Sequence, residues 1–201
     1  MPAISPAMTS KKRGSAAGRH ERALANSDRI QLIFGNYGIE VLENSPGMRA
    51  SSLYSIHDGI KQNRTFAVVA YPEVVEKAIE QEHQTILSGQ SIGIVFRNNG
   101  WETVKHHQYF GKLDAAPNDS EMFSVFGDDG VTGPAIHIYS LSVKKNNAEY
   151  SYAQIAEVHH PDYLTLEDLK AIYGSEFDEK RVRSEDVLNM LEIVKRKIQT
   201  C

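Results

Sequence analysis

Residues 51–72 read SSLYSIHDGIKQNRTFAVVAYP, and this stretch decides the fold class. Two runs rich in aromatic and β-branched residues, SSLYSI and TFAVVAY, flank Asp58-Gly59. Asp-Gly between two β-prone runs is a strong hairpin signal, because a tight two-residue turn needs positive φ at its centre. An antiparallel pair of strands is therefore expected early in the fold.

Working upstream, RIQLIF (29–34) and YGIEVLE (37–43) are short apolar segments separated by turn residues. Residues 1–27 carry no hydrophobic period and are rich in Ala, Ser, Pro, Gly and basic side chains, which reads as a flexible tail. Its KKR at 11–13 is read as solvated.

Downstream of Pro72 the period becomes helical. Val75, Ile79 and Ile86 share a face and Gly89 ends that helix, while Ser91 opens a second, shorter one that closes at Asn99-Gly100. WETVKHHQYFGKL (101–113) then reads as strand, MFSVF (122–126) as a short strand in a loop region, and AIHIYSLSV with AEYSYAQIAEV as a hairpin about Asn146-Asn147. Two further helices follow, one capped by Thr165 and Asp168 and ending at Gly174, the other opening at Ser184. The latter has acidic residues in its first turn, basic ones in its last, and an apolar stripe of Val187, Leu188, Leu191, Val194 and Ile198. That stripe must pack on the sheet or on a second copy of the chain. The expected class is α+β: a mainly antiparallel sheet with helices inserted between strands and two C-terminal helices.

Composition narrows the function classes. The net charge of -4 divides into +4 over residues 1–27 and -8 over the rest, which disfavours a folded nucleic-acid surface. The single cysteine, Cys201, permits neither a disulfide framework nor a cysteine zinc site and fits a reducing compartment. No apolar stretch approaches the roughly 18 residues of a spanning helix. A cytoplasmic protein with no membrane partner is the expectation.

Eight histidines raise the question of a metal, above all His106-His107 and His159-His160 near Glu157. Neighbours on a strand point to opposite faces, so each pair offers one ligand to any one site. One histidine from each pair with Glu157 would make a two-histidine, one-carboxylate set. Strand histidines more often serve in hydrogen bonds, and no metal is expected. GDDG at 127–130 lacks the alternating ligands of a calcium loop. Trp101, Tyr109, Phe110, Phe123 and Phe126 read as core or cavity wall.

The order of the pieces resembles the chorismate pyruvate-lyase family, which is distantly related to the UTRA effector-binding domains of bacterial regulators. The resemblance spans roughly residues 28–162 and rests on LYSIHDG (53–59), RTFAVVAYP (64–72), QSIG (90–93) and AEVHHP (156–161). It implies a chorismate lyase-like α+β domain over 28–162, with residues 163–201 as a helical extension packed on it or on a partner subunit. It further implies a closed cavity for 4-hydroxybenzoate. Glu157 would face the ligand hydroxyl, and the backbone at Ile92 and Gly93 would take its carboxylate. The family's arginine position falls on Ser51, so Arg49, two residues away on the same strand face, or Arg64 on the return strand would supply the guanidinium. No cofactor is implied, because aromatisation of the ring drives the release of pyruvate.

Three functions follow as expectations. The first is a lyase releasing pyruvate from chorismate or a similar compound, with Glu157 as the catalytic carboxylate. The second is a non-catalytic module binding a small aromatic carboxylate. The third is a structural role in which the C-terminal helix forms a homodimer.

Overall fold

The computed structural model describes residues 24–45, 47–114, 123–127, 131, 133–174 and 184–200. Its elements run α1 (Asn26–Phe34), β1 (Gly38–Ser45), β2 (Met48–His57), β3 (Ile60–Ala70), α2 (Glu80–Leu87), α3 (Ile92–Asn98), β4 (Glu102–Lys112), β5 (Ala135–Lys145), β6 (Ala148–His159), α4 (Leu166–Tyr173) and α5 (Glu185–Thr200). The six strands form one antiparallel sheet in the order β1-β2-β3-β6-β5-β4. The fold is α+β, built from two three-stranded meanders that meet where β3 pairs with β6.

The β2–β3 and β5–β6 turns have the chemistry their residues dictate. Asp58 and Gly59 sit at φ 50° and 78°, and Asn146 and Asn147 at 52° and 64°. Positive φ at both central positions is what a type I′ turn requires, and Asp, Asn and Gly are the residues that tolerate it.

One sheet face carries Ala50, Phe66, Val68, Ile136, Ile138, Ala156 and Val158, and α5 lies on it through Val187, Met190, Val194 and Ile198. The apolar stripe of the last helix is thus packed on its own sheet, while Leu188 stays exposed. Burying a side chain of this size stabilises by roughly 1.5–3 kcal/mol. The opposite face is covered by α1, α2, α3 and α4, and the odd-numbered side chains of β5, with Tyr152, Ala153 and Ile155 of β6, point into that second layer.

Several local expectations change. RIQLIF lies in the helix α1, stopped by Gly35 at φ 79°; exposed Leu32 and Ile33 blur its helical period. Asn26 and Ser27, assigned to the tail, open that helix and are buried, so the boundary falls before residue 26. Ser124–Phe126 is a 3-10 turn and not a strand, held in the core by Phe123, Val125 and Phe126. Ser91 precedes α3 but makes no side-chain cap hydrogen bond. The Thr165–Asp168 capping box is present. The KKR run, Asp128 to Gly130 of the GDDG loop, and Cys201 lie outside the described residues.

Candidate functional site

A cavity of about 90 Å³ lies between the sheet and the starts of α1 and α3. At roughly 10–15 Å³ per water-sized group, that space holds a ligand on the scale of a substituted benzoate. Leu53, Ala67, Val69, Leu141 and Ile155 form its apolar sheet wall. Its polar lining includes Arg49, Ser51, Lys105, Tyr139 and Glu157.

Arg49 is 2 % exposed and held on several sides. Its Nε donates to Ser51 Oγ at 2.8 Å, and its Nη1 donates to the Gln90 and Ile86 carbonyls at 2.7 and 3.1 Å. Nη2 has a longer contact of 3.4 Å to the Gly89 carbonyl. The guanidinium thereby stabilises the C-terminal end of α2, whose last carbonyls have no partners within the helix.

Arg64 does not line the cavity. The β2–β3 register shifts between Leu53 and Tyr54, which pair with Thr65 and Asn63, leaving Arg64 as the extra residue of a bulge. Its Nε donates to Ser55 Oγ at 2.9 Å and its guanidinium stacks 3.8 Å from the Phe34 ring centre. Of the two candidate arginines, the structure brings only Arg49 to the cavity.

Ile92 and Gly93 line the opposite wall. A Cβ on Gly93 would lie 3.3 Å from the Ala25 Cβ, so glycine lets the start of α3 approach the start of α1 closely. The first-turn amides of α3 have no intrahelical acceptor. The helix has only seven residues, so these amides act by direct hydrogen bonding more than through a macrodipole.

Glu157 is buried and lines the cavity. It pairs across the sheet with Ala67 on β3 and His137 on β5. Its Oε2 lies 4.0 Å from His137 Nδ1. Burial, with help from Glu157, raises the Tyr139 hydroxyl well above the usual tyrosine range. The β5–β6 register has a bulge at Tyr152, where Leu141 and Ser142 pair with Ala153 and Ser151. Beyond that bulge Ile155 and Glu157 face the α1/α3 layer.

Sequence reasoning missed Lys105 and His137. Lys105 lines the cavity from edge strand β4, with its Nζ 4.5 Å from the Tyr139 ring centre. His137 stands alone within AIHIYSLSV, and nothing local marks it. In space it stacks on His107, with His107 Nδ1 and His137 Nε2 2.8 Å apart. His137, Glu157 and His159 bring one ligand-type atom each within 4.8 Å of one another. The expected His106–His107 contribution is rearranged: His106 turns to Ser142 and Glu149, and His107 stands behind His137. His160 Nδ1 accepts from the Asp162 amide.

Burial lowers His137 well below the ordinary histidine value, with Lys105 and His107 adding to the effect. It also pushes His159 down to about 4, against the pull of Glu157. Both imidazoles are therefore neutral at neutral pH, each with one nitrogen carrying a lone pair. A wall with cations at Arg49 and Lys105 and a carboxylate at Glu157 can hold an anionic group at one place and a hydroxyl or proton donor at another. No helix is long and apolar enough to cross a membrane among the described residues. No protein-family model matches the chain and no curated protein sequence matches it.

Proposed function

We propose that this chain is a chorismate lyase-like protein whose cavity holds a small aromatic carboxylate and releases pyruvate from chorismate or a similar compound. The observation that supports the reading is the shared cavity of Arg49, Lys105 and Glu157 with an apolar wall between them. The ligand carboxylate faces Arg49 and the amides near Gly93. The ring rests on Leu53, Val69 and Ile155, and its hydroxyl faces Glu157.

In the reaction, the ring carbon bearing the hydroxyl loses its proton and the adjacent ether C–O bond breaks. The enolpyruvate so released takes up a proton at its methylene to become pyruvate, leaving 4-hydroxybenzoate. Glu157 accepts the ring proton in this reading, a task typically contributing a factor of about 10² to 10⁴. The remainder of the work is orientation and exclusion of water.

A second reading, in which the same site binds an aromatic acid without turnover, draws on Ser51 standing at the position to which the resemblance assigns an arginine. Incubating the purified protein with chorismate and quantifying pyruvate and 4-hydroxybenzoate separates the two. Equal release of both supports the lyase; no release with a higher melting temperature in 4-hydroxybenzoate supports the binding module, because a ligand of the native state alone stabilises it. Neither response would remove both readings.

A further inference from the structure

We propose that His137, Glu157 and His159 form a binding site for one divalent transition-metal ion, with Zn²⁺ or Co²⁺ as suitable probes, at the end of the cavity wall where Glu157 stands. This goes beyond the aromatic-acid reading and does not rest on it. The three residues lie on the same face of β5 and β6, where His137 pairs with Glu157 and Ala135 with His159. Their ligand-type atoms lie within 4.8 Å of one another. Ligands about 2.0–2.2 Å from an ion are themselves roughly 3–3.5 Å apart, so small side-chain rotations close the set.

Independent support comes from His159. Its Nε2 is fully buried and has no hydrogen-bond partner, an arrangement costly to leave unfilled. The other nitrogen, Nδ1, lies 3.0 Å from Thr65 Oγ1, which in turn accepts from Asn26 Nδ2 at 3.1 Å. His137 repeats the pattern: Nε2 is engaged by His107 Nδ1 at 2.8 Å, leaving Nδ1 toward Glu157. Each imidazole thus has one nitrogen fixed by an outer partner and the other turned inward, which is how metal-ligating histidines are held. Two imidazoles and a carboxylate suit a borderline cation and leave coordination positions open. Because Glu157 also lines the cavity, an open position can face it. Arg29 and Lys105 are the cationic side chains nearby and weaken the site by Coulomb repulsion.

The test uses the full-length protein, stripped with chelator, dialysed and titrated with Zn²⁺ by calorimetry and with Co²⁺ by visible absorption. One equivalent should bind, the melting temperature should rise, and Co²⁺ should develop d–d bands. His159→Gln and His137→Gln should each weaken binding by at least about 100-fold, and Thr65→Val, which removes an outer partner, by roughly 10- to 100-fold. Circular dichroism shows whether a variant is folded, and Thr65→Val serves if the histidine variants are not. No stoichiometric binding of either ion by the folded wild type overturns the proposal, as does binding unaltered in folded His159→Gln or, where only it folds, in Thr65→Val. Chorismate is absent throughout, so failure here leaves the aromatic-acid reading to its own test.

Discussion

Arg49 and Ser51 face the same side of β2 and are joined by an Nε–H···Oγ hydrogen bond of 2.8 Å. The position that the lyase resemblance gives to an arginine is thus filled by a serine that holds the neighbouring arginine in the cavity wall. Arg49→Met should leave the Gln90 carbonyl without the guanidinium and the Ile86 carbonyl with the Gly89 N–H alone, and cost about 3 kcal/mol, against about 1 kcal/mol for Ser51→Ala. Urea midpoints of the two variants check this; equal small losses would show that the guanidinium does not secure the end of α2.

Glu157→Gln keeps shape and removes charge. On the lyase reading it should lower pyruvate release by roughly 10² to 10⁴ while affinity for 4-hydroxybenzoate changes less. Paired turnover and binding measurements decide, and full activity in the variant would end the proposed role.

Gly59 and Gly174 both have open space where a Cβ would go, but Gly59 is at φ 78° and Gly174 at −56°. Gly59→Ala should therefore destabilise by about 1–2 kcal/mol through backbone strain alone, and Gly174→Ala should be neutral or slightly stabilising. Thermal melts that rank them the other way would contradict the turn assignment.

Burial raises Tyr37, Tyr71, Tyr139, Tyr152 and Tyr163 above the ordinary tyrosine range. A group whose folded value is raised stabilises the fold fully below its unfolded value, and that contribution is lost as pH rises further. Stability should hold below about pH 10 and fall above it. In an alkaline titration, the tyrosinate absorbance of these residues should appear together with loss of circular dichroism. Their ionisation in a protein that stays folded would refute their burial.

The strands and their turns were legible because Asp58-Gly59 and Asn146-Asn147 carry their conformations in their own chemistry. So was the last helix, whose period and end charges agree. The candidate site was legible only as far as single residues could be placed on a face: Arg49 and Glu157 could be named, but not joined. Lys105 and His137 reach the site through cross-strand register, and bulges at Arg64 and Tyr152 shift the alternation on which a strand reading depends. Asn26 shows the same limit. Its place is set by contacts with Thr65 at 3.1 Å and Tyr163 at 2.5 Å, 39 and 137 residues away.

The last strand in the chain, β6, is inserted between β3 and β5. Until residues 148–159 take that place, the two meanders have no hydrogen bonds joining them and each shows an unpaired edge. The cavity wall spans this seam, with Val69 on β3, Glu157 on β6 and Tyr139 on β5. A chain still emerging from the ribosome therefore lacks this cavity until its second meander closes on the first, and two sticky strand edges stay open meanwhile. Because this closure pairs segments far apart in sequence, it belongs to the slow class of folding events. A ligand that bridges the seam would bind only after closure and would hold the two halves together.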